Sequence, residues 1–116
     1  EVKIINKKNH FFSRIHVEDI ANILSNSLKF FKKNEVYNIS DDKPASSEEV
    51  TMYGVKLLGV NKPKTIEMSE VESEMLKGFY KDSKKVSNKK MKELFNYKLK
   101  YPTYVEGLDY IFNNTI

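Results

Sequence analysis

The stretch FSRIHVEDIA, residues 12–21, contains a change of periodicity from a strand-like to a helical pattern. From Phe11 to Val17 the side chains alternate with a period of two, which predicts an extended segment. From Glu18 onward the apolar residues recur at helical spacing, which predicts an amphipathic helix over residues 18 to about 32. The apolar stripe of this helix consists of Ile20, Ile23, Leu24, Leu28 and Phe31.

A strand is expected at residues 36–40 because their content is β-branched and aromatic. A polar-flanked strand is expected at residues 2–5 and a brief extended piece at residues 65–68. Capping boxes predict three further helix starts. Gly59 is expected to end the second helix and Gly78 to break the third, since glycine is unfavourable inside a helix. A fourth start is expected near Ser87, ahead of Met91. The three boxes are Ser46 with Glu49, Ser69 with Glu72, and Thr103 with Glu106. The pattern predicts one α/β unit with short strands and about five helices.

Composition excludes several classes of protein. The 116 residues suit one domain, and the absence of cysteine excludes disulfide scaffolds, thiol nucleophiles and thiolate metal sites. Without a long apolar run, a cytoplasmic location is expected. The net charge of +4 rests on scattered lysines, with Arg14 as the single arginine. A nucleic-acid surface would have a basic stripe, so nucleic-acid binding is kept only as a weak alternative.

Motifs for cofactor or metal chemistry are missing. The four glycines do not form a G-x-G-x-x-G turn or a P-loop, so this chain alone is expected to bind neither NAD nor NADP. Tyr80 and Lys84 have Y-x-x-x-K spacing, but Asp82 and Ser83 between them are poor helix formers, which makes the spacing accidental. The two histidines have no metal-ligand spacing. No catalytic, cofactor-binding or metal-ligating residue is therefore assigned to this chain.

Four runs in order along the chain resemble the extended short-chain dehydrogenases of the NAD-dependent epimerase/dehydratase family. Residues 12–21 are similar to its I-H-V-x-D-[LI]-A stretch, and residues 36–40 to its Y-N-[ILV] strand. Residues 86–97 are similar to a tail run, and Pro102 with Gly107-Leu108 to its P-x-x-x-G-L helix, with four residues here instead of three between the proline and the glycine. The chain looks most like an atypical subgroup of that family.

This resemblance implies a Rossmann-type fold of which the chain is the C-terminal part. Residues 1–40 would supply a strand, a helix and a strand that join the parallel sheet of a missing upstream domain. Residues 41–116 would form the small substrate lobe. The family's glycine loop and its catalytic Tyr and Lys would precede Glu1. NAD or NADP is therefore implied for a longer protein, and an epimerase, dehydratase or reductase activity with it.

Arg14 and His16 are the candidate substrate-binding residues. In the extended run they share a face with Phe12, and they are the single Arg and one of two His. In sugar-nucleotide members of the family an Arg contacts the nucleotide phosphates, but Phe12 stands at that position here. Arg14 does not inherit that role, and the substrate is expected to be a small, anionic or sugar-like molecule. The alternative is that Arg14 forms a structural ion pair, with Asp19 as a candidate partner.

Two further expectations concern the chain as a whole. A non-catalytic interaction module is the alternative to the enzyme fragment. Without an upstream half, the edge of strand 36–40 and the stripe of the first helix lack cover, so self-association into a homo-oligomer is expected. The competing expectation is that the second to fifth helices alone form a hydrophobic core large enough for a stable monomer.

Overall fold

The computed structural model describes residues 2–30 and 34–115. These ranges contain five α-helices and two short strands, which confirms the predicted mixed α/β composition. In chain order the elements are strand β1 (Ile4–Asn6), helices α1 (Val17–Ser27) and α2 (Ser47–Leu58), strand β2 (Thr65–Glu67), and helices α3 (Glu74–Lys81), α4 (Lys89–Phe95) and α5 (Tyr104–Thr115). Among the described helices, none is long and apolar enough to cross a bilayer.

Strands β1 and β2 form a two-stranded parallel sheet. Ile4 pairs with Thr65 and Asn6 with Glu67, and the N–H of Ile4 donates to the carbonyl of Lys64 at 2.9 Å. Ile4 is buried, which anchors the sheet against the rest of the fold. The two strands lie close to their predicted positions, but β1 begins two residues later.

The extended segment predicted at residues 11–17 is present over residues 11–16, because Val17 already begins α1, and it lies between two other pieces of chain. On one side Phe12 and Ala45 exchange backbone hydrogen bonds of 3.0 and 3.1 Å, and the N–H of Asp41 donates to the carbonyl of Arg14 at 2.7 Å. On the other side the N–H of Lys84 donates to the carbonyl of Phe11 at 2.9 Å. This segment therefore joins the loop before α2 to the loop after α3.

Helix α1 is shorter than predicted. His16 caps its N-terminus, and the helix ends at Ser27, within a Ser25-Asn26-Ser27 run whose side chains compete with helical hydrogen bonding. The hydroxyl of Ser27 donates to the carbonyl of Leu24 at 2.6 Å, an example of that competition. Phe31, the last residue of the predicted stripe, lies outside the described residues.

Helix α2 begins and ends where predicted. The Ser46 hydroxyl accepts from the N–H of Glu49 at 3.1 Å, as the first half of a capping box requires. Gly59 ends the helix with a φ of +64°, a left-handed conformation that glycine adopts without steric cost. The predicted cap at Thr103 is also present, since its hydroxyl accepts from the N–H of Val105 at 3.1 Å.

The prediction of a strand at residues 36–40 is wrong. This segment is irregular, and within the described ranges its backbone forms no ladder. Side chains supply its donors instead: the Lys90 ammonium donates to the carbonyl of Val36, and the Asn88 amide to that of Ser40, both at 3.0 Å. A strand needs a neighbouring strand, which β-branched composition alone does not provide.

The third helix also differs from prediction. Residues after β2 first form one 3-10 turn, Met68–Glu70, whose capping box joins Glu67 and Glu70. Helix α3 then begins after Ser73, whose hydroxyl accepts from the N–H of Leu76 at 3.3 Å, so Ser69 is not its cap. Gly78 lies inside α3 and does not break it. Glycine costs about 1 kcal/mol in a helix interior, too little to end a helix that is capped at its start.

The main core lies between α1 and α4. Ile23 of α1 packs with Met91 and Phe95 of α4 and with Leu99 that follows, all 5% exposed or less. Tyr37 adds its ring to this core at 5.0 Å from the ring of Phe95. Helix α2 packs separately against α5 and β1. The extended segment at residues 11–16 runs between these two groups of elements and carries the predicted site residues.

Candidate functional site

Arg14 and His16 line the same small cavity, of about 150 Å³. The extended segment forms one side of the cavity, and the beginning of α5 forms the opposite side with Tyr104 and Gly107. Asp41 also contributes to the lining. The structure therefore brings both predicted site residues together, and it adds a carboxyl group that the sequence did not single out.

Arg14 is half-buried beside this cavity. One guanidinium nitrogen, Nη1, donates to the carbonyl of Ala45 at 3.1 Å, and Cζ lies 5.8 Å from the ring centroid of Phe12. Burial lowers the pKa of the Arg14 guanidinium below its ordinary value, and the charge of Asp41 opposes that shift. The guanidinium brings further N–H donors to a cavity whose lining is otherwise mostly apolar, with Val50, Leu108 and Ile111 among its residues.

Asp41 is the site residue that the sequence reasoning missed. It is 4% exposed, and its Oδ1 accepts from the N–H of Lys43 at 3.0 Å. Burial raises the pKa of its carboxyl, while the Lys43 hydrogen bond and the charge of Arg14 oppose the rise. A buried carboxyl beside an arginine is typical of functional sites. The sequence shows only an Asp41-Asp42 pair in a loop, and no residue pattern predicts its burial.

His16 is held by three neighbours. Its Nδ1 accepts from the N–H of Glu18 at 3.1 Å, which assigns the proton of the neutral ring to Nε2. The ring stacks on Tyr101 with centroids 3.9 Å apart. A Cβ at position 107 would lie 3.2 Å from His16 Cδ2, so Gly107 allows α5 to approach the ring closely. His16 therefore reaches the cavity with a fixed tautomer and a fixed ring plane.

The alternative prediction of an ion pair between Arg14 and Asp19 is wrong, because the Asp19 carboxylate is bonded to other groups. Its side chain is fully buried, and its Oδ1 accepts from the Tyr97 hydroxyl at 2.6 Å and from the N–H of Lys100 at 2.8 Å. Its Oδ2 accepts from the N–H of Tyr101 at 2.9 Å. Asp19 thus fixes the segment between α4 and α5 onto the start of α1. Asp41 is the carboxylate whose charge acts most on Arg14.

A second polar link joins the loop at Asp42 to α4. The Asn88 amide donates to the Asp42 carboxylate at 2.8 Å, as it does to the Ser40 carbonyl. Lys92 forms an ion pair with the same carboxylate at 2.6 Å. The hydrogen bond from Asn88 and the charge of Lys92 outweigh the effect of partial burial, so the pKa of Asp42 is lowered. Neighbouring Asp41 and Asp42 therefore have pKa values shifted in opposite directions.

The Y-x-x-x-K spacing has no catalytic geometry. Tyr80 is buried near the end of α3, whereas Lys84 follows the helix and pairs with Phe11 through its backbone. The two side chains do not share a helix face, which confirms that the spacing is accidental. Nor do the described residues contain a group of three His, Asp or Glu side chains that could hold a metal ion.

No protein-family model and no curated protein matches this chain. Among solved structures, the chain is similar to a functionally unknown conserved protein from Silicibacter pomeroyi DSS, with 35% identity and a TM-score of 0.92. The similarity covers 97% of this chain and 41% of that protein. The chain thus spans less than half the length of the solved structure that it resembles, and it keeps the same fold over that part.

Proposed function

We propose that this chain is the substrate-recognition portion of an NAD(P)-dependent enzyme of the epimerase, dehydratase or reductase type. Cofactor binding and the transfer of hydride and protons belong to a Rossmann-type domain of a longer protein. The chain itself supplies the cavity that holds Arg14, His16 and Asp41. In this account the enzyme's substrate carries an anionic or sugar-like group.

The observation that carries the proposal is the convergence of the family-like runs. Two of them, residues 12–21 and 86–97, are far apart in sequence, and the P-x-x-x-G-L run follows the second. Asp19 of the first run accepts a hydrogen bond from the Tyr97 hydroxyl of the second run, and the His16 ring lies against Gly107 of the third. Residues that carry the resemblance are therefore the residues that hold one another in place.

The exposed apolar face of α1 also supports the proposal. Leu24 is 62% exposed and Leu28 is 85% exposed, although both belong to the predicted core-facing stripe. Val36, in the segment that resembles a sheet strand, is 82% exposed. Apolar side chains with this spacing normally cover a neighbouring element. An adjoining cofactor domain would bury them and would offer a strand to residues 36–40.

Within the site, each residue has an expected role. Arg14 binds the anionic group of the substrate, because its guanidinium is half-buried and bonded on one nitrogen to a carbonyl. His16, with its proton on Nε2, orients a substrate hydroxyl. Asp41 limits the positive charge of the cavity and keeps Arg14 in place through their electrostatic attraction. The described residues offer the substrate a binding surface, and the proposal assigns the chemistry to the cofactor domain.

Hydrogen exchange tests the assembly of the two parts. The coding sequence is expressed together with whatever lies upstream of Glu1, and amide exchange in α1 and at residues 36–40 is compared with that of the 116-residue chain. The proposal predicts an upstream G-x-x-G-x-x-G turn and Y-x-x-x-K motif, and slower exchange in both segments of the longer protein. Helix α4, already covered by α1, serves as the internal control. Unchanged exchange, or an initiating Met directly before Glu1, would favour a free-standing interaction module.

A further inference from the structure

A second cavity lies between the turn after β1 and the start of α2. Its volume is about 330 Å³. The turn contributes Lys7, Lys8 and His10, and the helix contributes Ser46, Ser47 and Glu48. None of these six residues lines the cavity of Arg14 and His16. This cavity is therefore a separate site.

His10 is a buried polar side chain without a partner. It is 3% exposed, and neither Nδ1 nor Nε2 has a hydrogen-bond partner among the described residues. Its ring is held between Phe12, at 4.7 Å edge to face, and Tyr80, stacked at 5.0 Å. An imidazole always carries at least one N–H, and leaving a buried donor unpaired costs about 1–3 kcal/mol. An acceptor in the adjoining cavity would remove that cost.

The start of α2 presents two further donors to the same cavity. In the first turn of a helix the N–H groups have no intrahelical acceptor. Ser46 satisfies the N–H of Glu49, which leaves those of Ser47 and Glu48 for other acceptors. The dipole of this 12-residue helix adds partial positive charge at that end. Such a helix start favours an anion, and here it faces a cavity that His10 also lines.

The charges around the cavity also favour an anion. The Lys7 ammonium is held in place by donation to the carbonyl of Tyr80. Lys8 is exposed at the rim, on a turn that Asn9 closes with a φ of +54°. Glu48 is the opposing charge, and its side chain is exposed and able to turn toward solvent. Two cations, a helix start and the buried, unpartnered His10 therefore line one space.

We propose that this cavity binds the terminal phosphate of a small phosphorylated molecule. A phosphate offers at least three acceptor oxygens, enough to meet the imidazole, the backbone N–H groups of α2 and a lysine at once. A carboxylate has two oxygens and would satisfy fewer of these donors. The cavity exceeds the size of one phosphate and leaves room for a small organic part. This inference does not depend on the proposed function.

Titration of the ¹⁵N-labelled chain with inorganic phosphate and with glycerol 3-phosphate tests the proposal. The expected result is saturable shifts of the Ser47 and Glu48 amides and of the His10 ring, with glycerol 3-phosphate binding more tightly. Shifts produced by inorganic phosphate alone would contradict the proposed organic ligand. If both probes leave these signals unchanged up to about 50 mM, an affinity weaker than roughly −2 kcal/mol, the site does not exist.

Variants identify the donors. His10→Phe keeps the aromatic packing but removes the ring nitrogens, and a loss of about 10-fold in affinity is expected, equivalent to about 1.4 kcal/mol. Ser47→Pro removes one backbone N–H at a helix position that tolerates proline, and it should weaken binding without unfolding α2. Glu48→Gln should strengthen binding. Lys62→Gln, an exposed lysine elsewhere, is the matched control.

The comparison of these variants decides the outcome. Circular dichroism shows which of the variants fold. If His10→Phe does not fold, Ser47→Pro and Glu48→Gln still test the site. Folded His10→Phe and Ser47→Pro variants that bind both probes like the original chain would overturn the proposal. So would a loss of affinity in Lys62→Gln equal to that in the cavity variants, since it would indicate non-specific attraction to a basic surface.

Discussion

At the scale of single residues, the extended run brings Arg14 and His16 to one cavity, but the structure adds their neighbours. Period-two alternation was enough to place both residues on one face. It could not show that Asp41, 27 positions after Arg14, folds back against it, because that contact depends on the backbone pairing of residues 12–14 with 41–45. It also could not show that the Asp19 carboxylate accepts hydrogen bonds from the Tyr97 hydroxyl and the Tyr101 N–H.

The role of Arg14 is tested by two substitutions in the longer protein. Arg14→Ala is expected to raise KM for an anionic substrate by about 10-fold or more, which corresponds to roughly 1.4 kcal/mol, with a smaller effect on thermal stability. Arg14→Lys should recover part of the loss, because it keeps the charge but not the forked geometry. Steady-state kinetics and melting curves are compared, with Lys98→Ala as the surface control. A variant that melts earlier with unchanged kinetics would make Arg14 structural.

Asp41 gives a prediction for pH dependence. Burial raises the pKa of Asp41 in the folded chain. At pH values between the ordinary Asp pKa of about 4 and this raised pKa, the folded state therefore binds more protons than the unfolded state. The Asp41 contribution to stability is therefore full below the ordinary value and is lost as pH rises through the folded pKa. Asp41→Asn removes this dependence. Urea unfolding from pH 3 to 7 should show the stability of the original chain falling relative to the variant as pH rises; a constant difference would contradict this.

At the scale of elements, the sequence predicts the helix boundaries that local caps form better than it predicts the third helix or the strand at residues 36–40. The caps at Ser46 and Thr103 and the stop at Gly59 are local devices, and all three are present. The segment at residues 36–40 has strand composition, but a strand also requires a partner, and none pairs with it among the described residues. Strand existence depends on distant chain, which local composition does not encode.

Two glycines provide a matched pair at this scale. Gly78 lies inside α3, where an added Cβ meets nothing within 4 Å, so Gly78→Ala is expected to stabilise the chain by about 0.5–1 kcal/mol. Gly59 also has free space, but its φ is +64°, and Gly59→Ala is expected to destabilise the chain by about 1 kcal/mol. Urea unfolding of both variants is the measurement. Equal effects of the same sign would show that backbone conformation does not separate the two positions.

At the scale of the whole molecule, the exposed apolar stripe of α1 is the feature that most needs a partner. Ile23 alone among the described stripe residues is buried, because α4 covers only its side of the helix. The amphipathic pattern predicted the stripe correctly, but it could not say whether this chain provides the cover. The resemblance assigns that cover to a cofactor domain, which remains part of the proposal.

Without such a domain, the chain is expected to self-associate through this face. Sedimentation of the 116-residue chain at micromolar concentration should show dimers or larger species. Leu24→Lys combined with Leu28→Lys should shift the distribution toward monomer, because charge opposes burial of the stripe. Leu58→Lys, an apolar residue 53% exposed at the end of α2, is the control. A stable, cooperatively melting monomer of the original chain would show that the later helices form a sufficient core alone.

Calorimetric titration with NAD, NADH, NADP and NADPH tests directly whether cofactor binding belongs to an upstream domain. Two proteins are compared: the 116-residue chain and the polypeptide that includes its upstream coding sequence. The chain has no glycine-rich turn that could receive a pyrophosphate, so the account predicts no binding tighter than about 10 µM, or roughly −7 kcal/mol, for the chain. For the longer polypeptide it predicts saturable, stoichiometric binding either of NAD and NADH or of NADP and NADPH. Failure of the longer polypeptide to bind any of the four, or tight binding by the chain alone, would contradict the account.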